Sequence, residues 1–267
     1  MRRPVIVIAP EGGLCNRMQA LDSAIALARR FGSDLRLIWY LSPNINTSFD
    51  KLFEVPQGIG KITEIDLYRS LGRARRRLYR KYFQTAFDEY LQHKQIPAGR
   101  KDLEALVEGR RVYITAYRRF YDRPSMYADL KPVPRLQAII DSYASTFEHT
   151  VGVHVRRTDN RHARDHSPLE MFIDTMHREV TQDDASQFFV ATDSPEVEDR
   201  LRSEFPGRIV TYQKRSLDRN DPLAIEDAII DLYCLSRCRK LIGSYWSSFS
   251  ETAWQLGGIE KAIMYRE

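Results

Sequence analysis

From residue 150 to the end of the chain, short apolar runs alternate with stretches of helical period, and only a few residues separate each from the next. The runs at 150–156, 187–192, 209–212, 240–242 and 262–265 read as strands, the last as an edge strand. Between them, Ser167-Pro168-Leu169-Glu170 and Asp193-Ser194-Pro195-Glu196 each offer a capping residue, a first-turn proline and an acid, and so open helices. The second of these helices runs to Phe205, and residues 222–238 and 248–256 continue the pattern. Strands that alternate with crossover helices pair in parallel. The pattern predicts a doubly wound sheet, with ligands at the carboxyl ends of its strands.

The amino-terminal half begins the same way. Residues 5–9 are continuously apolar, as in a strand buried on both faces. A turn at Pro10-Glu11-Gly12-Gly13 follows, then Met18, Leu21, Ile25 and Ala28 at helical spacing, then a strand at 35–40. Residues 41–66 read as irregular, broken by Pro43, Pro56, Gly58 and Gly60. Residues 67–92 read as a long basic helix with Arg69, Arg73, Arg75, Arg76, Arg77, Arg80 and Lys81, and with Leu67, Leu71, Ala74 and Leu78 on another face. A short helix at 101–109, a strand at 111–116 and a helix at 136–147 complete this half. The expected fold class is α/β, two Rossmann-like domains at 1–140 and 141–267. A single elaborated α/β domain is the alternative.

Composition narrows the function classes. At 43% hydrophobic and 29% charged residues, the chain is neither disordered nor collagenous nor a membrane bundle. A net charge of +5 suits a polyanionic ligand such as a nucleotide without demanding nucleic acid. Cys15, Cys234 and Cys238 form no Cys-x-x-Cys pair and read as free thiols in a reducing compartment. The apolar run behind Arg2-Arg3 is too short for a signal peptide, and no stretch approaches the roughly 18 apolar residues of a spanning helix. A cytoplasmic protein is expected, with association at a membrane surface left open.

Four strand ends carry polar residues that packing does not require. After the first strand comes Glu11-Gly12-Gly13-Leu14-Cys15-Asn16-Arg17, a glycine turn that either serves its own dihedrals or lets backbone approach a ligand. After the strand at 150–156 comes His154-Val155-Arg156-Arg157-Thr158-Asp159. Adjacent arginines on an extended segment point to opposite faces, so one is free for a diphosphate while the other pairs with Asp159. His154 reads either as a ligand contact or as a satisfied core histidine. Asp193, in Ala191-Thr192-Asp193, is either a helix cap or a site residue. Ser244-Tyr245-Trp246-Ser247-Ser248-Phe249-Ser250 places hydroxyls and amides at a helix start, a phosphate cradle. Upstream, Asp231 interrupts an apolar helix, where a charge is costly unless paired.

The order His154-Val155-Arg156-Arg157-Thr158-Asp159, Ala191-Thr192-Asp193, Asp231-Leu232-Tyr233-Cys234-Leu235-Ser236, Ser247-Ser248-Phe249-Ser250 resembles the fucosyltransferase superfamily, and most the α-1,6-fucosyltransferases of the Nod-factor and N-glycan core types. The resemblance covers residues 150–256 and, less specifically, the turn Gly12-Gly13-Leu14-Cys15-Asn16-Arg17. It implies a GT-B-like pair of domains around a cleft, the second domain holding the nucleotide sugar and the first facing the acceptor. It implies inverting, metal-independent transfer of fucose from GDP-fucose to a glycan or glycoconjugate hydroxyl. By the same resemblance Arg156 binds the β-phosphate, His154 contacts the nucleotide, Asp231 reads the guanine edge, and Ser247 and Ser248 hold the diphosphate. Arg157, Asp193, Gly12, Gly13, Asn16 and Arg17 complete the expected donor set. The chain has no strict Asp-x-Asp, so fixed cations and a helix terminus are expected to carry the leaving group, with no metal or other cofactor.

The departure from the α-1,6 pattern lies after Asp159. Where those enzymes carry Lys and then Glu, this chain has Asn160 and then Arg164 or Asp165. Asp165 is the expected base, with Asp159 and Glu11 in reserve. His162 and His166 have metal-ligand spacing if helical, but stand in an arginine-rich segment. Two other classes stay open: a non-catalytic GDP-sugar-binding protein, and an RNA- or membrane-surface-binding protein using an anionic partner at the Arg69–Lys81 segment. No specific nucleic acid is expected.

Overall fold

The computed structural model describes residues 4–157, 165–218 and 220–266. It divides into two compact units, one of residues 1–133 with 218–225, the other of residues 134–217 with 226–267.

The first unit is built on a five-stranded sheet in the order β3-β2-β1-β5-β4. Strand β1 (Val5–Pro10) pairs in parallel with β2 (Asp34–Leu41) and β5 (Arg111–Ala116). Its side chains from Ile6 to Pro10 are all buried, which is why it reads as an unbroken apolar run. Helix α1 (Leu14–Phe31) follows and buries Met18, Leu21, Ile25 and Ala28. Strand β3 (Ile59–Asp66) and strand β4 (Glu89–Gln92) close the sheet at its two edges. Neither was expected. Residues 41–66 are not wholly irregular, and the helix expected over 67–92 is α2 (Ser70–Ala86), ending before β4. Edge strands need no continuous apolar run, and β3 carries Gly60, Lys61 and Glu64 on a half-exposed ribbon. Helix α3 (Arg100–Val107) precedes β5.

The second unit opens with helix α4 (Pro134–Ala144). Its sheet has the order β10-β9-β6-β7-β8, parallel throughout. The strands are β6 (Thr150–Val155), β7 (Gln187–Thr192), β8 (Ile209–Val210), β9 (Lys240–Ser244) and β10 (Glu260–Met264). Helices α5 (Leu169–Gln182), α6 (Pro195–Glu204), α7 (Pro222–Ser236) and α8 (Ser248–Gly257) connect them. Val151, Val153 and Val155 of β6 pack with Phe172 and Met176 of α5 and Phe188 and Val190 of β7 into the core of one face. The winding reverses between β6 and β9: chain order runs outward from β6 through β7 and β8, then resumes on the other side. That switch point is where an open parallel sheet leaves a crevice for ligand.

One expected cap is corrected. Helix α5 starts from Pro168, not Ser167. The Ser167 hydroxyl donates to the Met264 carbonyl at 2.5 Å and accepts the Tyr245 amide at 2.9 Å, tying two strand ends together. Helix α6 is capped by Ser194, whose Oγ accepts the Val197 amide, so Asp193 is not its cap. The three cysteines are buried and form no disulfide, and burial raises the Cys234 and Cys238 thiols well above their usual value.

Candidate donor site of the second unit

The switch point brings together the ends of β6 and β9. Ser244, the last residue of β9, donates its hydroxyl to the His154 carbonyl at 3.1 Å and accepts the Arg156 amide at 2.9 Å. The segment leaving β6 is thereby fixed against the serine loop that leads into α8. Ser247 caps α8, its Oγ accepting the Ser250 amide, so the helix start with its partial positive charge lies beside the arginine segment. Ser248 is the first residue of that helix.

His154 is 5% exposed. Its Nδ1 lies 2.7 Å from Ser250 Oγ, and its ring stacks on Phe249 with centroids 4.8 Å apart. Burial, reinforced by the Arg156 charge, pulls the imidazole down to about 3, so it is neutral at ordinary pH. The core reading of His154 holds: its ring is buried and hydrogen-bonded, two residues before Arg156.

The two arginines diverge as an extended segment requires. Arg156 Nη1 pairs with Asp193 Oδ2 at 2.9 Å. Arg157 Nη1 donates to the Ser167 carbonyl at 2.9 Å, and its amide donates to Asp193 Oδ1 at 2.8 Å. Asp193 is therefore a brace for this segment rather than a helix cap. The partner expected from sequence, Asp159, lies outside the described residues, as do Asn160, His162 and Arg164. Asp165 is described and exposed.

Asp231 on α7 is 3% exposed. Its Oδ2 pairs with Lys214 Nζ at 3.1 Å, and its Oδ1 has no hydrogen-bond partner among the described residues. Burial pushes the carboxyl up to about 6 despite the lysine. An unpartnered, buried carboxylate oxygen is a strong acceptor waiting for a donor. Lys214 escaped the sequence reading. It follows the two-residue strand β8, its charge also bears on His154, and its only signal was its place just beyond a strand end. Trp246 escaped as well. It stands at φ 53° and is 58% exposed, in the loop between Ser244 and Ser247. A bulky residue in the left-handed region is strained, and such strain gathers at functional loops.

The glycine turn belongs to the first unit. Gly12 has φ 83°, and a Cβ there would meet Asn16 at 3.1 Å, so the turn needs glycine for its own shape. Gly13 leads into α1 with open space where a Cβ would stand. Asn16 donates to the Tyr117 carbonyl at 2.6 Å. Arg17 is 2% exposed and donates to the carbonyls of Gly12 and Tyr40 and to Ser42 Oγ. Burial lowers its guanidinium to about 10. These two side chains brace the turn. Glu11 pairs with Arg76 at 2.8 Å. Among the described residues no group of three His, Cys, Asp or Glu side chains converges.

Two parallel five-stranded sheets flanked by helices, with this site at the switch point of the second, have the fold of the GT-B fucosyltransferases. No protein-family model and no curated protein sequence matches the chain. Solved structures do. The NodZ α-1,6-fucosyltransferase soaked with GDP-fucose matches 96% of this chain and 93% of its own, at TM-score 0.63 and 20% identity. A mutant of Arabidopsis thaliana FUT1 in complex with GDP matches all of this chain and 71% of its own, at TM-score 0.65 and 14% identity. POFUT1 in complex with GDP-fucose matches 98% of each chain, at TM-score 0.59 and 15% identity. The resemblance in fold expected from residues 150–256 thus extends over nearly the whole chain. No described helix is long and apolar enough to cross a membrane.

Proposed function

We propose that the protein is a glycosyltransferase that moves fucose from GDP-fucose to a hydroxyl of a glycan or glycoconjugate, inverting the anomeric centre and needing no metal. The observation that carries this reading is Arg156, held by Asp193 at the end of β6 and set beside the serine-capped start of α8. When the sugar leaves, negative charge grows on the β-phosphate. A braced guanidinium and a helix N-terminus meet that charge without reorganising. Ser247 and Ser248 add hydroxyls and amides to the same cradle.

The nucleotide is read as guanine because guanine offers N–H donors on its edge, and Asp231 Oδ1 is a buried acceptor without one. Lys214 keeps that carboxylate charged, and neutral His154 contributes a ring and a ring nitrogen rather than a charge. Asp165 takes the proton of the acceptor hydroxyl, with Asp159 in reserve.

The test is calorimetric titration with GDP-fucose in EDTA, with GDP-mannose and UDP-glucose as controls. Selective, metal-free binding of GDP-fucose is expected; equal binding of the three would overturn the donor assignment. A second reading, a GDP-sugar-binding protein without turnover, draws on one observation: Asn160 and Arg164 or Asp165 stand where the α-1,6 enzymes carry Lys and Glu. Under that reading Asp165→Ala leaves GDP-fucose hydrolysis and transfer at the same zero as the wild type.

A further inference from the structure

Helix α2 is held to the first unit along one narrow stripe. Phe83 is buried and Tyr79 half-buried, both packed with Phe87 and Tyr113 against the sheet. Gly72 allows the close approach at its start, since a Cβ there would fall 1.5 Å from the Asp66 carbonyl oxygen. The leucines point the other way. Leu71, Leu78 and Tyr82 are 75%, 68% and 55% exposed. Spaced at i, i+7 and i+11, they form a single outward stripe.

Cations surround that stripe. Arg73, Arg75, Arg77, Arg80 and Lys81 are all exposed, and residues 67–87 contain no acid. Arg69 and Arg76 reach Asp66 and Glu11 off the helix, whereas Arg73, Arg77 and Lys81 have no ion-pair partner among the described residues. An ordinary surface helix hides its leucines and mixes its charges. This one does neither.

We propose that the outward face of α2 docks on a bilayer surface that carries anionic phospholipid. Charge selects this occupant over a second copy of the chain, because two such faces would bring their cations together. The apolar stripe selects it over RNA or an acidic glycan, which would engage the arginines and leave Leu71, Leu78 and Tyr82 in water. A bilayer interface takes both: the apolar stripe enters the headgroup–acyl boundary, and the guanidinium groups lie among the phosphates. The proposal uses no residue of the donor site and stands apart from the donor reading.

The experiment is sedimentation of the full chain with phosphatidylcholine vesicles, with and without phosphatidylglycerol. Binding at least about tenfold stronger to the anionic vesicles, falling with salt, is expected. The double change Leu71→Ser/Leu78→Ser should weaken it by about tenfold or more without altering the circular dichroism, as both side chains are already in water. Tyr82→Trp should add an emission component that shifts to the blue with anionic vesicles only. Equal partition onto neutral vesicles, or anionic binding that survives the serine changes with no shift at position 82, overturns the proposal. So does retention on single-stranded RNA or heparin by a chain that ignores the vesicles. GDP titration of the same samples keeps the two readings separable: a failed donor site leaves vesicle binding intact, and a failed membrane face leaves GDP binding intact.

Discussion

Arg156 and Asp193 form one unit across two strand ends: the carboxylate takes the guanidinium of Arg156 on one oxygen and the amide of Arg157 on the other. The brace makes their effects unequal. If Arg156 meets the diphosphate as proposed, Arg156→Ala removes a charge-assisted hydrogen bond of roughly 1.5–3 kcal/mol there. GDP affinity should fall about 10–100-fold by calorimetry. Asp193→Asn keeps an acceptor for the Arg157 amide and loses the ion pair with Arg156, so a smaller loss is expected. In the double variant the Asp193 change should add nothing to that of Arg156→Ala; full additivity would mean that Asp193 acts elsewhere.

His154 gives the fold an acid-sensitive element. Unfolded, its ring takes a proton near the ordinary 6.5; folded, only near about 3. The unfolded chain thus binds more protons between those values, and the stability tied to His154 is lost as pH falls through that window. His154→Gln should show a smaller drop in Tm between pH 7.5 and 5 than the wild type. Parallel curves for the two proteins would remove His154 as the cause.

Asp231 works in the opposite direction. Its carboxyl titrates at about 6 folded against an ordinary 3.8, so the folded state holds its proton more tightly and loses stability as pH rises through that interval. Asp231→Asn should therefore match the wild type near pH 4 and exceed it at pH 8, by about 2–4 °C in Tm if the gain is about 1 kcal/mol. The same variant should lose GDP more than UDP. A variant that is less stable at pH 8 and indifferent to the base would make Asp231 a structural partner of Lys214.

Ser247 separates capping from ligand binding. Ser247→Ala should cost about 1 kcal/mol through the lost cap on α8. Ser247→Asp keeps a capping oxygen but adds a negative charge at the phosphate cradle. Its Tm should stay near the wild type while GDP binding is lost. Retained GDP binding in the aspartate variant would move the diphosphate away from this helix.

Much of this was legible because buried parallel strands leave a loud trace. Strands β1, β6 and β7 are buried along nearly their whole length and lead into polar residues. Strands β3 and β4 left little trace because each lies at an edge and is half in water. The segment Asp193-Ser194-Pro195 holds two capping candidates one residue apart, and only the backbone decides that Ser194 caps while Asp193 turns to the arginines. Lys214 was hidden for a related reason: a lysine after a two-residue strand looks like any surface lysine until Asp231 is seen beside it. Arg17 shows the reverse, a residue with the right chemistry for a ligand that is used inside the unit by Tyr40, Ser42 and Gly12.

Residues 218–225 belong to the first unit although the chain on either side of them belongs to the second. Asn220 accepts from Asn46 and from Tyr68, and the Pro222 carbonyl accepts from Thr47. A fragment ending at Val133 would leave those three side chains without partners, and a fragment starting at Pro134 would carry an eight-residue passenger that has lost its seat. The two halves look like a tandem pair, yet a single cut in the chain does not separate them cleanly. A chimaera that borrows the nucleotide half of this protein has to borrow a piece of the other half with it.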